Sequence, residues 1–314
     1  MIKVASVNLP IDEELVIKKE RIVPLNPTGN EKRISIVTGT HGDELEGQYV
    51  CYELNRRIKN NPECLKGIVD IYPALNPLGI DSITRGIPAF DLDMNRIFPG
   101  SEGGIMADYL AHKIVEDIKG SALCVDIHAS NIFLMEIPQI RINELTKDEL
   151  VPLAKMMNVN FIWVHCAATV LESTLAYSLN DIGTPTLVVE MGVGMRITKS
   201  YGDQLVDGIL NTMKELGMWT GEVNKVRESI VSYDENFEVN FINASSAGVF
   251  IPATKHWVKL KKGDYVGDIV DPLTGEILDK ITSPCDGILF TLREYPICDE
   301  GSLIARILER DDEI

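Results

Sequence analysis

Thr38-Gly39-Thr40-His41-Gly42-Asp43-Glu44 follows the apolar run Ile34–Val37 and precedes a helical pattern, and its reading decides the fold. Ile34 to Val37 has the character of a buried strand, and Gly47, Val50, Cys51, Leu54 and Ile58 fall on one face at helical spacing. His41 and Glu44 therefore sit where a strand gives way to a helix, on a glycine-bearing turn. In an open α/β sheet that edge is where ligands bind. An imidazole and a carboxylate three residues apart on such a turn can converge on one metal ion. The bland alternative is a polar loop in which Glu44 only serves the positive end of the helix.

Outward from this stretch the alternation repeats. Further strand-like runs at Ile68–Tyr72, Leu123–Ile127, Phe161–Val164 and Thr186–Val189 are separated by helical patterns. Ala107, Leu110, Ala111, Ile114, Val115 and Ile118 form one helical face, and Leu205, Val206, Ile209, Leu210, Met213 and Leu216 another, stopped by Gly217. Thr146-x-x-Glu149 reads as a capping box opening a helix. Two β-like stretches, Lys3–Val7 and Leu15–Val23, precede the alternation. Buried strands separated by helices predict an α/β domain, with a mixed, mostly parallel sheet flanked by helices, over residues 1–220. Residues 221–237 read as a polar linker, and short β-like runs between Gly, Pro and Asp follow, predicting a small all-β domain within 221–314.

At 314 residues with 45% hydrophobic and 25% charged composition, the chain has the make-up of a globular protein. A net charge of −17 argues against nucleic acid or an anionic membrane as partner. No apolar run is long enough to span a bilayer, and Met1-Ile2-Lys3-Val4-Ala5 leads directly into strand-like sequence without a signal peptide. The six cysteines, at 51, 64, 124, 166, 285 and 298, include no Cys-x-x-Cys pair. That fits a reducing, cytoplasmic setting and disfavours a thiolate metal site.

Four further segments carry chemistry: Asn76-Pro77-Leu78-Gly79 with the following Arg85, Asp93-Met94-Asn95-Arg96, Asp126-Ile127-His128, and Glu190 in Val188-Val189-Glu190-Met191-Gly192. Each lies beyond a strand-like run or in the loop after one, so a parallel sheet gathers them on one edge. His41, Glu44 and His128 make a His₂Glu set that leaves a fourth position for water, the donor arrangement of catalytic zinc in hydrolases. Asp126, two residues before His128 on the same strand face, can orient a ligand imidazole, though the sequence does not say which histidine. Of the other histidines, His112 falls in a helical pattern and His165 and His256 in sheet-like surroundings, none with a metal role. Glu190 at a strand end can move the proton of an attacking water, or it can be a salt-bridged core acid. Arg85 and Arg96 can each present a two-pronged donor to a carboxylate or oxyanion, and Asn95 adds an amide. The alternative for both arginines is a surface ion pair worth little.

Taken in order, Gly39-Thr40-His41-Gly42-Asp43-Glu44, Asn76-Pro77-x-Gly79, Arg85, Asp93-x-Asn95-Arg96, Asp126-x-His128 and Glu190 resemble the succinylglutamate desuccinylase/aspartoacylase family of the zinc carboxypeptidase-like superfamily. The resemblance spans residues 34 to 195, and the β-rich tail after 238 is similar to that family's C-terminal domain. It implies one zinc per chain, held by His41, Glu44 and His128. It further implies Arg85 as the group polarising the scissile carbonyl, Asn95 and Arg96 as the holders of a substrate carboxylate, and Glu190 as general base and then general acid. The stretch between Arg85 and Asn95 is longer than in the true aspartoacylases, and those enzymes' extra tyrosine and arginine contacts have no clear counterpart. Arg141 and Arg196 are nearby cations without an assigned role. The tail also resembles a biotinyl/lipoyl-type hammerhead but lacks the lysine motif such carriers modify.

The expected function is therefore a zinc-dependent amidohydrolase, a deacylase of N-acyl amino acids or related carboxylate-bearing small molecules. The competing readings are a metallocarboxypeptidase acting on peptide C-termini and a non-catalytic binding protein on the same fold. The acyl group, the amine and any homo-oligomeric assembly are left open.

Overall fold

The computed structural model describes residues 1–88, 92–166, 172–232 and 238–309. Strands β1 (Ile2–Asn8) and β2 (Glu14–Ile22) pair antiparallel and lead to β3 (Arg33–Thr38), where Ile34, Ile36 and Val37 are fully buried. Helix α1 (Glu46–Asn60), β4 (Ile68–Tyr72), the short α2 (Pro77–Ser82), α3 (Met106–Ile118) and β5 (Leu123–Ser130) follow. Next come β6 (Leu134–Asn143), α4 (Lys147–Ala154), β7 (Phe161–His165), α5 (Leu175–Asp181), β8 (Thr186–Val193) and α6 (Lys199–Glu215).

β4, β3, β5 and β8 lie side by side in that order and run parallel, with β2 antiparallel at one flank and β6 antiparallel at the other. The chain leaves β3 for β4 on one side and returns to β5 on the other. Between the ends of β3 and β5 the loops diverge, which makes the crevice where open α/β sheets bind ligands. Both faces are covered, so the parallel strands carry continuous apolar runs. Val50, Leu54 and Ile58 of α1 and Leu205, Ile209 and Met213 of α6 pack on Ile34, Ile36, Val125, Leu187 and Val189. On the other face, Leu110, Ala111 and Ile114 of α3 and Leu175 and Leu179 of α5 cover Val37, Tyr72 and Cys124.

The C-terminal strands are β9 (Ile230–Val231), β10 (Glu238–Asn243), β11 (Gly248–Pro252), β12 (Val258–Leu260), β13 (Tyr265–Asp271), β14 (Glu276–Thr282), β15 (Gly287–Arg293), β16 (Ile297–Cys298) and β17 (Leu303–Glu309). β14, β13, β11 and β16 form a four-stranded antiparallel sheet of their own. β15, β17 and β10 instead extend the main sheet, because β6 changes partner along its length. Leu134 to Glu136 pair with β15, and Gln139 to Asn143 pair with β7. Pro138 lies at that change, where a residue without an N–H is tolerated. Within the expected linker 221–237, Ile230–Val231 pairs with β7, and 233–237 lie outside the described residues. Thr146 does not form the expected capping box: its hydroxyl donates back to the Asn143 carbonyl. No helix is long and apolar enough to cross a membrane among the described residues.

Candidate metal centre and active site

The turn after β3 is shaped by a backbone contact that only glycine permits. A Cβ on Gly42 would lie 2.0 Å from the Gly79 carbonyl carbon, and one on Gly79 would run into the Asn76 side chain. Asn76 accepts from Gly79 N at 2.9 Å and donates to Gly86 O at 3.0 Å, while Gly42 N donates to Thr84 O at 3.1 Å. The two glycine-bearing motifs are thus two sides of one contact, which fixes the His41 turn against the loop carrying Arg85.

His41, Glu44 and His128 are 3%, 4% and 4% exposed, and their donor atoms all lie within 4.8 Å of one another. Glu44 does not serve the helix end. Its Oε1 lies 2.6 Å from His41 Nδ1, and its Oε2 lies 2.9 Å from His128 Nδ1 and 3.1 Å from Ala129 N. The remaining ring nitrogens face carboxylates. His41 Nε2 is 3.0 Å from Asp93 Oδ1, and His128 Nε2 is 3.2 Å from Asp126 Oδ2, off the line of a hydrogen bond. Asp126 therefore sits on His128, and Asp93 is the partner of His41. Such outer carboxylates fix ring orientation and raise ligand basicity. Arg85 bridges the set, with Nη1 3.1 Å from Glu44 Oε1 and Nη2 3.2 Å from Asp93 Oδ2.

Three carboxylates (Glu44, Asp93, Asp126) against one guanidinium leave two negative charges unbalanced when the imidazoles are neutral. Two imidazole nitrogens and a carboxylate oxygen form the donor set of a divalent transition ion, and zinc fits it. Among the described residues, the buried oxygens of Asp126 and His128 Nε2 have no hydrogen-bond partner. Burial alone would raise the Glu44 carboxyl, but the two imidazoles outweigh it and hold the group below the usual carboxylate range. Burial opposes charge on both histidines, and the neighbouring carboxylates outweigh it and raise them.

Glu190 stands opposite His128 in the β5–β8 register, with its side chain 15% exposed. Arg141, in β6, reaches Glu190 Oε1 through Nη1 at 3.1 Å. Burial pushes the Glu190 carboxyl up, Arg141 and His128 pull it down, and the net direction is upward. Thr186 and Val188, on the same face of β8, line a cavity of about 530 Å³ with Arg141, His165, Tyr177 and Leu150.

Of the other expected residues, Asn95 and Arg96 lie on the short turn that begins at Asp93. Asn95 Oδ1 accepts from Leu175 N at 2.9 Å, fastening the start of α5. Arg96 is exposed, its guanidinium on the Asn95 carbonyl at 2.7 Å. Arg196 pairs with Glu294 at 3.0 Å on the surface. Ala89, Phe90 and Asp91, in the long stretch before Asn95, lie outside the described residues.

The family model of the succinylglutamate desuccinylase/aspartoacylase catalytic domain matches residues 30–216. The chain belongs to the succinylglutamate desuccinylase/aspartoacylase family. This is a family of deacylases. Solved structures share the fold over nearly the whole chain. A succinylglutamate desuccinylase/aspartoacylase from Rhodobacter sphaeroides matches with a TM-score of 0.79 at 22% identity, covering 98% of this chain and 94% of that one. A succinylglutamate desuccinylase from Silicibacter sp. TM1040 gives 0.79 at 20% identity over 94% and 89% of the two chains. The product-bound ectoine utilization protein EutE (DoeB) from Ruegeria pomeroyi gives 0.77 at 19% identity over 95% and 90%.

Asp93, like Arg141, is a site residue that sequence reasoning left without a role. It stood in a quoted motif, but nothing periodic links it to His41, 52 positions away.

Proposed function

We propose that this protein is a zinc-dependent amidohydrolase. It cleaves the amide of an N-acyl amino acid or a related carboxylate-bearing small molecule, in the cytoplasm, with one zinc per chain. The observation that carries the reading is the convergence of His41, Glu44 and His128 within 4.8 Å, beside Glu190 and at the sheet's diverging loops.

His41 Nδ1, His128 Nδ1 and a Glu44 oxygen would hold the zinc, with Asp93 and Asp126 fixing the two rings. Bound zinc supplies Lewis acidity and lowers the pKa of water to roughly 7. Glu190 takes the proton of the attacking water and returns it to the leaving nitrogen. Its largely enclosed, raised carboxyl suits it to both directions of transfer. Arg85 donates to the carbonyl oxygen as negative charge develops there. Arg96, with Asn95, receives the substrate carboxylate at the rim. The cavity along β8 is lined by Arg141, the cation that reaches Glu190, and has room for a small organic group, which supports small molecules as substrates.

Metal analysis of the purified protein, with amine release from a panel of N-acyl amino acids, tests this. About one zinc per chain and turnover abolished in Glu190→Gln with zinc retained are expected. Release of C-terminal residues from peptides in place of amine from the panel would make it a carboxypeptidase. Zinc without turnover of either class would leave a binding protein, and absence of bound metal would sink the mechanism.

A further inference from the structure

Behind Glu190 lies a second set of charges that crosses into the C-terminal strands. Glu136 of β6 is 1% exposed. Its Oε2 accepts from Gln139 Nε2 at 2.7 Å and from Thr291 Oγ1 of β15 at 2.5 Å. Its Oε1 is shared by two guanidiniums, Arg306 Nη1 of β17 at 2.6 Å and Arg141 Nη2 at 3.3 Å. The other terminal nitrogen of Arg141 is the one that reaches Glu190. Both guanidiniums lie over the ring of Trp163, 5.7 and 5.6 Å from its centroid, which holds their planes.

Arg141 is thus one cation between two carboxylates, and Arg306 decides how it is divided. With Arg306 on Glu136, charges balance in pairs and Arg141 is free to face Glu190. Without Arg306, Glu136 would keep the Gln139 and Thr291 hydrogen bonds but have Arg141 as its one remaining guanidinium, and a buried charge short of compensation is costly enough to draw Arg141 over. Glu190 would then lose its cation and its fixed orientation. We infer that Arg306 and Glu136 are positioning residues for Glu190, acting through Arg141, so that the C-terminal strands align the proton-transfer group of the active site. The inference rests on the reading of Glu190 as general base. It gives the extension of the main sheet by β15 and β17 a role in catalysis.

The test compares Arg306→Met, Glu136→Gln/Arg306→Met and Arg306→Lys in the full-length zinc-loaded protein, with Glu190→Gln as control. Crystal structures report the Arg141–Glu190 contact, and kinetics use whichever N-acetyl or N-succinyl amino acid the wild type hydrolyses. In Arg306→Met, Arg141 is expected to leave Glu190 for Glu136. Its kcat is expected to fall on the order of 10–100-fold with KM nearly unchanged, as misplacement of a reacting group by about an ångström does. Removing both charges in the double variant restores the contact and most of kcat, and Arg306→Lys retains much of it. A merely structural Arg306 would make the double variant no better than the single one. An intact Arg141–Glu190 contact in Arg306→Met, or a double variant as impaired as the single, overturns the inference. Where Arg306→Met does not fold, loss of the contact in the double variant overturns it. Turnover surviving in Glu190→Gln would instead overturn the reading of Glu190 itself. If none of the panel is hydrolysed, the contact alone decides.

Discussion

Asp70 in β4 and Glu44 after β3 are both buried carboxylates, 0% and 4% exposed, yet their surroundings are opposite in design. Asp70 is saturated by cations. Lys19 lies 3.0 Å away, Arg21 grips both oxygens at 2.7 and 2.6 Å, and Arg33 stands at 3.4 Å. Lys19 also pairs with Asp117 at 2.5 Å, so three cations face two carboxylates. Burial raises the Asp70 carboxyl, but Arg21 and Lys19 outweigh it and bring it below the usual range. Around Glu44 the sign is reversed: carboxylates outnumber guanidiniums, and buried polar atoms of Asp126 and His128 lack hydrogen-bond partners among the described residues. The first cluster satisfies itself and stabilises a fold. The second is short of positive charge when its imidazoles are neutral, a balance that a bound cation would supply. A buried acid alone says little about function, whereas the sign of the imbalance around it is informative.

The sharpest way to break this contrast is to neutralise each acid. Glu44→Gln removes a metal donor, and turnover is expected to fall by at least about 10³-fold, with zinc lost on metal analysis. The metal-free variant is expected to lose less stability than Asp70→Asn does, since relief of crowded negative charge offsets part of what the imidazole and Ala129 contacts contribute. Asp70→Asn should do the reverse. Leaving Lys19, Arg21 and Arg33 with only the Asp117 carboxylate among them is expected to cost about 3–5 kcal/mol in urea unfolding, with zinc content of the folded fraction unchanged. If Asp70→Asn released zinc, or Glu44→Gln destabilised the metal-free chain by a comparable amount, the division between the clusters would fail.

A milder pair of substitutions sharpens the same contrast. Asp93→Asn and Asp126→Asn keep the shape beside each histidine but remove the charge. Each is expected to weaken zinc affinity by about 10–100-fold in a chelator competition. An effect at only one position would show that the two imidazoles are not held equivalently.

How much of this was legible before the fold was known depends on the range of the signal. The parallel strands announce themselves as short apolar runs, because both faces of each are buried, and their ends carry His41, His128 and Glu190. β6 gave no such signal. In Leu134-Met135-Glu136-Ile137-Pro138-Gln139-Ile140-Arg141-Ile142-Asn143, polar residues alternate with apolar ones and a proline interrupts. Two of those polar positions, Arg141 and Glu136, are the charges that meet Glu190 and Arg306. Arg141 was visible as a spare cation, but its partner lies across a strand pairing that no local pattern specifies. The same holds for Asp93 on His41. The C-terminal β character was readable from turn residues, while the joining of β15 to β6 rests on register at Glu136 and Thr291, a long-range fact.

His165 gives the smallest effect and a third kind of environment: a titratable group near cations with no acid of its own. Burial first, then Arg141 and Arg306, lower its pKa from 6.5 to about 4. Above pH 6.5 the ring is neutral in both folded and unfolded chains and contributes no pH dependence. As pH falls from 6.5 towards 4 the unfolded chain takes up the proton and the folded one does not, so stability is lost across that window. The full shift corresponds to a few kcal/mol, which partial solvent access reduces to roughly 1–2 kcal/mol. The raised imidazoles of His41 and His128 act in the opposite sense, so the measurement must be a difference. The stability of wild type minus that of His165→Gln, followed by urea unfolding from pH 7.5 to 4.5, is expected to decline with falling pH. A flat difference would mean that neither burial nor the two guanidiniums perturbs His165, and would remove it from the pH response.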